Sequence, residues 1–196
     1  MPGPKTDLMR MLRGALGAPA DDTAVRGHPA PGPVEPPSPE QLAAERAQTL
    51  ADAAAMIERH EGFRPRAYRD AAGHLTIGFG QRIPTTAPQE TTREEARKFL
   101  MGRVQRDADY LEQRGIKLSP GMLSALYNIG TGNAYEYGIT PALQAGEYAR
   151  AADILEKVVK AKGQVLPGLV KRRKEESMSL RRSAPGGLLS GFLRYP

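Results

Sequence analysis

Apolar residues recur at spacings of three and four along most of this 196-residue chain, and that period is typical of amphipathic helices. Helix start signals agree with the pattern, because Ser38 precedes a proline and Thr92 with Glu95 matches a capping box. The predicted helices run over about 39–60, from the capping box to about 115, over 120–129 before Gly130 and Gly132, in two pieces around Gly146, and over 169–182.

One stretch departs from the helical period. Residues 67–70 and 74–77 alternate in polarity, and a turn-forming Ala-Ala-Gly sequence separates them, which predicts a β-hairpin. Gly78 and Gly80 follow, and they allow the second strand to bend or to approach another backbone closely. The predicted fold class is therefore α+β, with a mainly helical core and one small β element.

The two ends of the chain differ from the part between them. Within residues 5–17, Leu8, Leu12 and Leu16 recur every fourth position, which predicts a short amphipathic helix. A Pro-rich stretch follows, and its composition favours the extended backbone of a linker. The predicted organisation is an amphipathic segment at 1–17, a Pro-rich linker at 18–37, one domain at 38–183 and an irregular tail at 184–196.

The charge of the chain favours an anionic partner. The formal net charge is +6 and the isoelectric point is near 9.7, which suits a nucleic acid, a membrane surface or an acidic cell-wall polymer. The absence of Trp and the 6% aromatic content argue against stacking on single-stranded nucleic acid, so no nucleic-acid partner is predicted. The densest basic run, at 171–174, is interpreted as a solvated helix face.

Composition also excludes several classes of site. The chain has no Cys, so disulfides and thiolate metal sites are excluded. Its histidines, His28, His60 and His74, lack metal-ligand spacing, so neither a metal nor a cofactor is predicted. No apolar run is long enough to cross a bilayer, and Asp7 and Arg10 interrupt the N-terminal apolar residues, so no secretion signal is expected.

Three polar side chains lie in or beside the predicted hairpin. Glu61 ends the preceding helix with Gly62 as its C-cap, and the helix dipole and partial burial both favour a protonated carboxyl there. Asp70 lies near the turn, where solvent and backbone donors keep a carboxylate ionised. Two carboxyl groups in unlike environments suit acid–base cleavage of a glycosidic bond, with the Thr76 hydroxyl available to a water held by Asp70.

A plainer interpretation accounts for the same residues. Glu61 would be an exposed charge at a helix end, Asp70 a turn residue and Thr76 a strand residue without further role. Spacing alone favours this plainer interpretation, because such triplets are common in proteins. The choice between the two depends on what surrounds the triplet.

Three separated motifs resemble those of the phage-type (T4-like) lysozymes, the endolysins of glycoside hydrolase family 24. The first is the stretch at 61–80, with E-G-F-R, A-Y-R-D and T-I-G-F-G at the separations found in that family. The second is A-L-Y-N-I-G-T-G at 125–132, which is similar to a cleft-lining segment. The third is V-L-P-G-L-V-K-R-R at 165–173, which is similar to the start of a closing helix. The resemblance covers roughly residues 50–180.

This resemblance implies a lysozyme-like fold, with a small β-hairpin lobe, a larger helical lobe and a cleft between them. It implies an enzyme, a muramidase that cuts peptidoglycan between N-acetylmuramic acid and N-acetylglucosamine. It assigns Glu61 as general acid, Asp70 as the base or water-orienting carboxylate, and Thr76 as the hydroxyl partner of Asp70. Arg172 or Arg173 is expected to pair with Glu61, while a solvated position is favoured for at least one of the two.

The resemblance also points to substrate-binding residues and to departures from the family pattern. Asn128 and Thr131 are implied sugar contacts, although capping of the turn at 130–132 explains them equally well. Gln81 stands where many relatives have His, and Val158 stands where many have Trp. The missing Trp puts the packing near the cleft in question.

Other functions stay open at this level. A lytic transglycosylase needs the acid but not the second carboxylate, and Asp70 with Thr76 argues against it. A virion structural or wall-binding protein with a degenerate lysozyme domain is the alternative from another class. The terminal segments favour a phage particle component, anchored to other virion proteins through residues 5–17 or 184–196. An endolysin held in the host cytoplasm before release to the cell wall is the other expected location.

Overall fold

The structure is a computed structural model, and it describes residues 36–70, 73–161 and 163–185. The predicted amphipathic segment, nearly all of the linker and residues 186–196 lie outside the described residues. The first described helix, α1, spans Pro39–Glu61. Its capping box is complete, because Ser38 Oγ accepts a hydrogen bond from the Gln41 N–H at 3.2 Å and Gln41 Oε1 accepts one from the Ser38 N–H at 2.7 Å.

The end of α1 determines where Glu61 stands. Gly62 follows with a φ of 67°, a left-handed conformation that glycine adopts without strain, and its N–H donates to the carbonyl of Glu58. Glu61 is therefore the last residue of the helix, as the sequence predicted. The chain reverses there and enters the sheet.

A three-stranded antiparallel sheet follows α1. The strands are β1 (Arg64–Arg69), β2 (Leu75–Gly78) and β3 (Gln81–Arg82), in the order β1-β2-β3. Register pairs Arg69 with Leu75, and β1 has an irregularity between Arg64 and Tyr68. The predicted hairpin is confirmed, whereas β3 was not predicted because two residues are too few to show an alternating pattern.

The rest of the described domain is mainly helical. After α2 (Arg93–Glu112), which begins at the predicted capping box, come α3 (Pro120–Ile129), α4 (Thr131–Glu136), α5 (Ile139–Gln144) and α6 (Tyr148–Glu156). A two-stranded hairpin of β4 (Lys160–Ala161) and β5 (Gln164–Val165) precedes α7 (Pro167–Arg182). Gly130 ends α3 as predicted, but Gly132 lies inside α4, so its predicted role as a helix terminator was wrong. The β4–β5 hairpin was also not predicted.

The core lies between the helices, with α3 covered by α1, α2 and α7. These helices supply completely or almost completely buried apolar side chains, among them Ile57, Leu100, Met122, Leu126 and Leu180. Phe79 lies between β2 and β3, and its side chain is buried in the same core. Its ring centre lies 5.5 Å from that of Phe63. The predicted α+β class is confirmed, and the sheet is held against the helical part at the point where α1 ends.

Helices α3 and α7 approach so closely at Gly121 that a side chain there is excluded. A Cβ at Gly121 would lie 2.1 Å from the carbonyl oxygen of Glu176, which is backbone and cannot move aside easily. We expect Gly121→Ala to lower the free energy of unfolding by about 2 kcal/mol through overpacking, measured by urea denaturation. Gly132→Ala is the matched control, because nothing lies within 4 Å of that Cβ position and alanine favours the helix. Equal stability of the two variants would contradict the close approach.

Candidate active site

A cleft of about 540 Å³ opens between the sheet and the helices. The sheet side contributes Asp70, Gly80, Gln81 and Arg82, and Glu61 stands at the end of α1. Helix α2 contributes Phe99, Arg103 and Arg106, and the end of α3 with the start of α4 contributes Tyr127, Asn128, Ile129, Gly130 and Asn133. Both predicted catalytic carboxyl groups therefore line the same cavity.

Glu61 is held on both sides of its carboxylate. Arg172 Nη1 donates to Glu61 Oε1 at 2.6 Å, and the Glu61 side chain is 22% exposed. On the other side, a Cβ at Gly80 would lie 3.0 Å from Glu61 Oε2, and Gly80 has a φ of 81°. Glycine suits position 80 because of this left-handed backbone conformation, and a Cβ there would press against the Glu61 carboxylate.

The Glu61 carboxylate has two electrostatic neighbours. It stands at the C-terminal end of α1, where the negative end of the helix dipole lies, and Arg172 Nη1 donates a charge-assisted hydrogen bond to it. This ion pair holds the carboxyl group in place at the cleft.

Tyr127 lies close to Glu61 and was not predicted as a functional residue. Burial, with a smaller contribution from the negative charge of Glu61, raises the pKa of Tyr127 to about 12. The phenol therefore keeps its proton near neutral pH, and its OH donates to the carbonyl of Phe79 at 2.7 Å. This bond ties the end of α3 to the turn that places Gly80 beside Glu61.

A buried ionic network supports Arg172. Glu176, on the next turn of α7, is completely buried, and its Oε1 accepts from Arg172 Nε at 2.9 Å and from Ser124 Oγ at 2.7 Å. Glu176 Oε2 accepts from Arg173 Nη1, and Arg173 Nη2 donates to Asn128 Oδ1. The network thus joins α7 to α3, and through Arg172 it reaches Glu61 at the end of α1.

The network corrects the interpretation of residues 171–174 as a solvated helix face. Arg172 and Arg173 are 5% and 1% exposed, so the preference for a solvated position for at least one of them was wrong. The expected pairing with Glu61 is made by Arg172. Glu176 was missed, although the spacing of Arg172 and Glu176 at i and i+4 was a signal for an ion pair within one helix.

Asp70 stands at the opposite, sheet side of the cleft. Its Oδ1 accepts from the His74 N–H at 2.9 Å, and its Oδ2 lies 3.3 Å from His74 Nδ1 and 3.8 Å from Arg82 Nε. These contacts hold the carboxylate in place at the edge of the cleft. Asp70 and Glu61 therefore occupy unlike surroundings. Asp70 is held by backbone and side-chain groups of the sheet, whereas Glu61 lies beside the buried guanidinium of Arg172.

Of the other predicted site residues, Asn128 lines the cleft, whereas Thr76 and Thr131 do not. Thr76 is 3% exposed, and its hydroxyl donates to the carbonyl of His74 at 3.1 Å. Asn128 lines the cleft while it accepts from Arg173. Thr131 is the first residue of α4. Within the described part of the chain, neither Thr76 nor Thr131 belongs to the residues that line the cavity.

The two departures from the family pattern also have defined places. Gln81 lines the cleft as the first residue of β3. Val158 packs against the hydrophobic core, and its carbonyl accepts from Arg173 Nε at 3.1 Å. Val158 therefore still contributes to the packing beneath the ionic network, through its side chain and its backbone.

Metal sites and membrane spans were searched in the described ranges. No group of three or more His, Cys, Asp and Glu side chains is arranged to hold a metal ion within residues 36–70, 73–161 and 163–185. None of the helices described here is both long and apolar enough to span a bilayer. The arrangement in the cleft is thus one of two carboxyl groups, several arginines and aromatic side chains.

Sequence comparison identifies related proteins. The model of the phage lysozyme family matches residues 58–176 of the chain. The endolysin of Bacillus phage B103 is 32% identical over 129 residues, which make up 62% of this chain and 49% of that protein. The endolysin of Acyrthosiphon pisum secondary endosymbiont phage 1 is 31% identical over 130 residues, 62% of this chain and 89% of that protein. The chain thus spans about half the length of the Bacillus phage relative.

Solved structures show the same fold. An endolysin from an Escherichia coli phage, FAHEc1, superposes with a TM-score of 0.56 and 26% identity, over 66% of this chain and 90% of that one. The muramidase domain of SpmX from Asticaccaulis excentricus gives a TM-score of 0.58 at 21% identity, over 65% of this chain and 93% of that one. The predicted lysozyme-like fold is confirmed by these similarities.

Proposed function

The chain belongs to the phage lysozyme family, and from this we propose that it is a peptidoglycan hydrolase. The reaction is that of a muramidase, cleavage of the glycosidic bond between N-acetylmuramic acid and N-acetylglucosamine. The observation that carries the proposal is the pair of carboxyl groups in one cleft, Glu61 beside the buried Arg172 and Asp70 on the sheet. Carboxyl groups in unlike environments can divide the acid and base roles of glycoside hydrolysis between them.

Glu61 acts as the general acid in this proposal. Its carboxyl proton passes to the glycosidic oxygen as the bond to the anomeric carbon breaks, and the leaving sugar departs as an alcohol. A bound glycan excludes water from the cleft and strengthens the electrostatic interactions inside it. Arg172 orients the carboxyl group from the side away from Gly80.

Asp70 and Thr76 complete the assignment. The Asp70 carboxylate orients a water or accepts its proton while the water oxygen bonds to the anomeric carbon. His74 and Arg82 hold Asp70 at the sheet side of the cleft. Thr76 acts through the hairpin, because its hydroxyl is bonded to the carbonyl of His74, whose N–H in turn donates to Asp70. Asn128 is retained as a proposed sugar contact because it lines the cleft, whereas Thr131, which does not line it, is given no contact.

Digestion of purified peptidoglycan tests the reaction. The wild-type chain should release soluble fragments with N-acetylmuramic acid at the reducing end, identified by mass spectrometry. Fragments ending in N-acetylglucosamine would contradict the bond specificity. Binding to the wall without release of fragments would favour the alternative, a structural or wall-binding protein with an inactive lysozyme domain.

Asp70→Asn tests the second carboxylate. We expect it to lower the rate of wall cleavage by about a hundredfold or more, because the amide cannot accept a proton from water. Thr76→Ala should cost less, since it removes only a hydrogen bond within the hairpin. Rates come from release of soluble glycan fragments, and mass spectrometry identifies their ends. Full activity of Asp70→Asn with 1,6-anhydro sugar products would instead identify a lytic transglycosylase.

The place of action is proposed from the ends of the chain. The domain at 38–183 carries the activity, and residues 5–17 or 184–196 anchor it to other proteins of a phage particle. The apolar periodicity of the first segment and Leu188, Leu189 and Phe192 in the second support such anchoring. Mass spectrometry of washed virions tests it, and absence of the chain from particles would favour an endolysin released from the host cytoplasm.

A further inference from the structure

Helix α2 presents a stripe of three side chains to the cleft. Phe99, Arg103 and Arg106 recur at intervals of four and three residues, so they lie along one face of the helix, and all three line the cavity. We call this set the α2 stripe. It lies apart from Glu61 and Asp70 along the chain, and neither resemblance nor the acid–base assignment gives it a role.

The three side chains of the α2 stripe differ in their contacts with the rest of the protein. Arg103 Nε is bound to both carboxylate oxygens of the buried Asp107, at 3.1 and 2.9 Å, and its guanidinium lies 5.9 Å from the centre of the Tyr127 ring. The positive charge of Arg103 is thus paired with the carboxylate of Asp107, which also holds its side chain in place. Phe99 is 44% exposed, which is unusual for a phenylalanine that serves only the core.

Arg106 is the arginine of the α2 stripe that forms no salt bridge with another described residue. Among the ion pairs formed by the described residues, the other charged groups of the cleft have partners: Glu61 pairs with Arg172, Arg82 with Asp70, and Arg103 with Asp107. Arg106 takes part in none of the ion pairs within that described part of the chain, and its side chain is exposed in the cavity. A cation of this kind favours an anionic group on whatever occupies the cleft.

We propose that the α2 stripe binds a carboxylate on the branch of the glycan, with Arg106 as the pairing guanidinium. This inference rests on the proposed function, because the muramic acid of peptidoglycan carries a lactyl group to which a peptide is attached. The carboxylate belongs either to that peptide or to a lactyl group from which the peptide has been removed. A planar guanidinium forms two parallel hydrogen bonds with such a group. The Phe99 ring, two helical turns earlier in the α2 stripe, offers an apolar surface to the sugar.

The test compares Arg106→Gln with wild type on native peptidoglycan and on peptidoglycan whose carboxylates have been converted to methylamides. On the native polymer we expect kcat/KM to fall about fivefold, the size typical of a partly exposed ion pair. On the amidated polymer the variant should match wild type, since no carboxylate is left to pair. On the native polymer Arg106→Lys should lose less than Arg106→Gln, because it keeps the charge, but it should stay below wild type, because it lacks the two parallel hydrogen bonds of the guanidinium.

Lys98→Gln is the matched control, since it removes one positive charge from an exposed position on α2 that does not line the cavity. It should leave kcat/KM unchanged on both substrates.

Amidase-treated strands, which carry only the lactyl carboxylate, distinguish the two sources of the carboxylate. If Arg106→Gln lowers kcat/KM on these strands, Arg106 pairs with the lactyl group. If kcat/KM on these strands is unchanged, Arg106 pairs with the peptide. An active wild type with equal loss on native and amidated polymer, or no loss on either, overturns the inference alone. A wild type that cleaves no substrate overturns the proposed function and this inference with it.

Discussion

Glu61→Gln should abolish wall cleavage, with a loss of about a thousandfold or more in the rate of sugar-end release. Glutamine has nearly the same shape as glutamate, but its amide cannot donate a proton to the glycosidic oxygen. The substituted side chain can still accept from Arg172 Nη1, so the end of α1 should keep its place. We therefore expect little change in the thermal unfolding midpoint, followed by circular dichroism.

Glu90→Gln is the control for the loss of one negative charge. Glu90 is 71% exposed and pairs with Arg66 at the surface, so its removal should leave the rate unchanged. Turnover by Glu61→Gln comparable to that of an active wild type would show that another group supplies the proton. Such a result would also remove the basis for placing the reaction at the end of α1.

Glu176→Gln has the largest expected effect on stability. Glu176 is the one carboxylate that contacts both Arg172 and Arg173 in the described structure, and it is completely buried. Loss of its charge leaves two buried guanidinium groups with insufficient compensation, which costs about 3–5 kcal/mol of unfolding free energy. The amide also places donors toward Arg173, so one hydrogen bond becomes a repulsive contact.

Urea denaturation of Glu176→Gln and Glu175→Gln side by side measures this effect. Glu175 is the neighbouring residue, and it pairs with Arg59 and His60 with 37% of its side chain exposed. Its substitution should cost less than about 1 kcal/mol, because exposed ion pairs contribute little. Equal losses for the two variants would contradict the dependence on burial. A further consequence of losing Glu176 is a less restrained Arg172, and so lower activity in the fraction that stays folded.

Helix boundaries were predictable because their signals are local. Ser38 with Gln41 and Thr92 with Glu95 close their capping boxes within four residues, and Gly62 ends α1 through its own φ angle. Such features depend on neighbouring residues and not on the rest of the fold. The elements that were missed, β3 and the β4–β5 hairpin, consist of two-residue strands that exist only through their pairing with a partner strand.

The candidate site was predictable to the extent that its residues lie within one short motif. Glu61 and Asp70 were identified from the 61–80 stretch and its resemblance, and both line the cleft. Thr76 was placed by the same motif, but its hydroxyl is satisfied within the hairpin by the carbonyl of His74. Alternation along a strand predicts which face a side chain is on, yet it does not predict the hydrogen-bond partner on that face.

The sequence by itself determined the α+β class, the ends of most helices, the hairpin and the positions of the two carboxyl groups, because each depends on contacts within a few residues. Only the tertiary structure decided the environment of the basic run at 171–174. Arg172 and Arg173 are both paired with the buried Glu176. Acceptors on other helices, Glu61, Ser124 and Asn128, take further hydrogen bonds from the two guanidinium groups. A buried charge is tolerated only where such partners converge. These partners come together only when α1, α3 and α7 pack against one another. The spacing of residues along α7 alone therefore could not predict that Arg172 and Arg173 are buried.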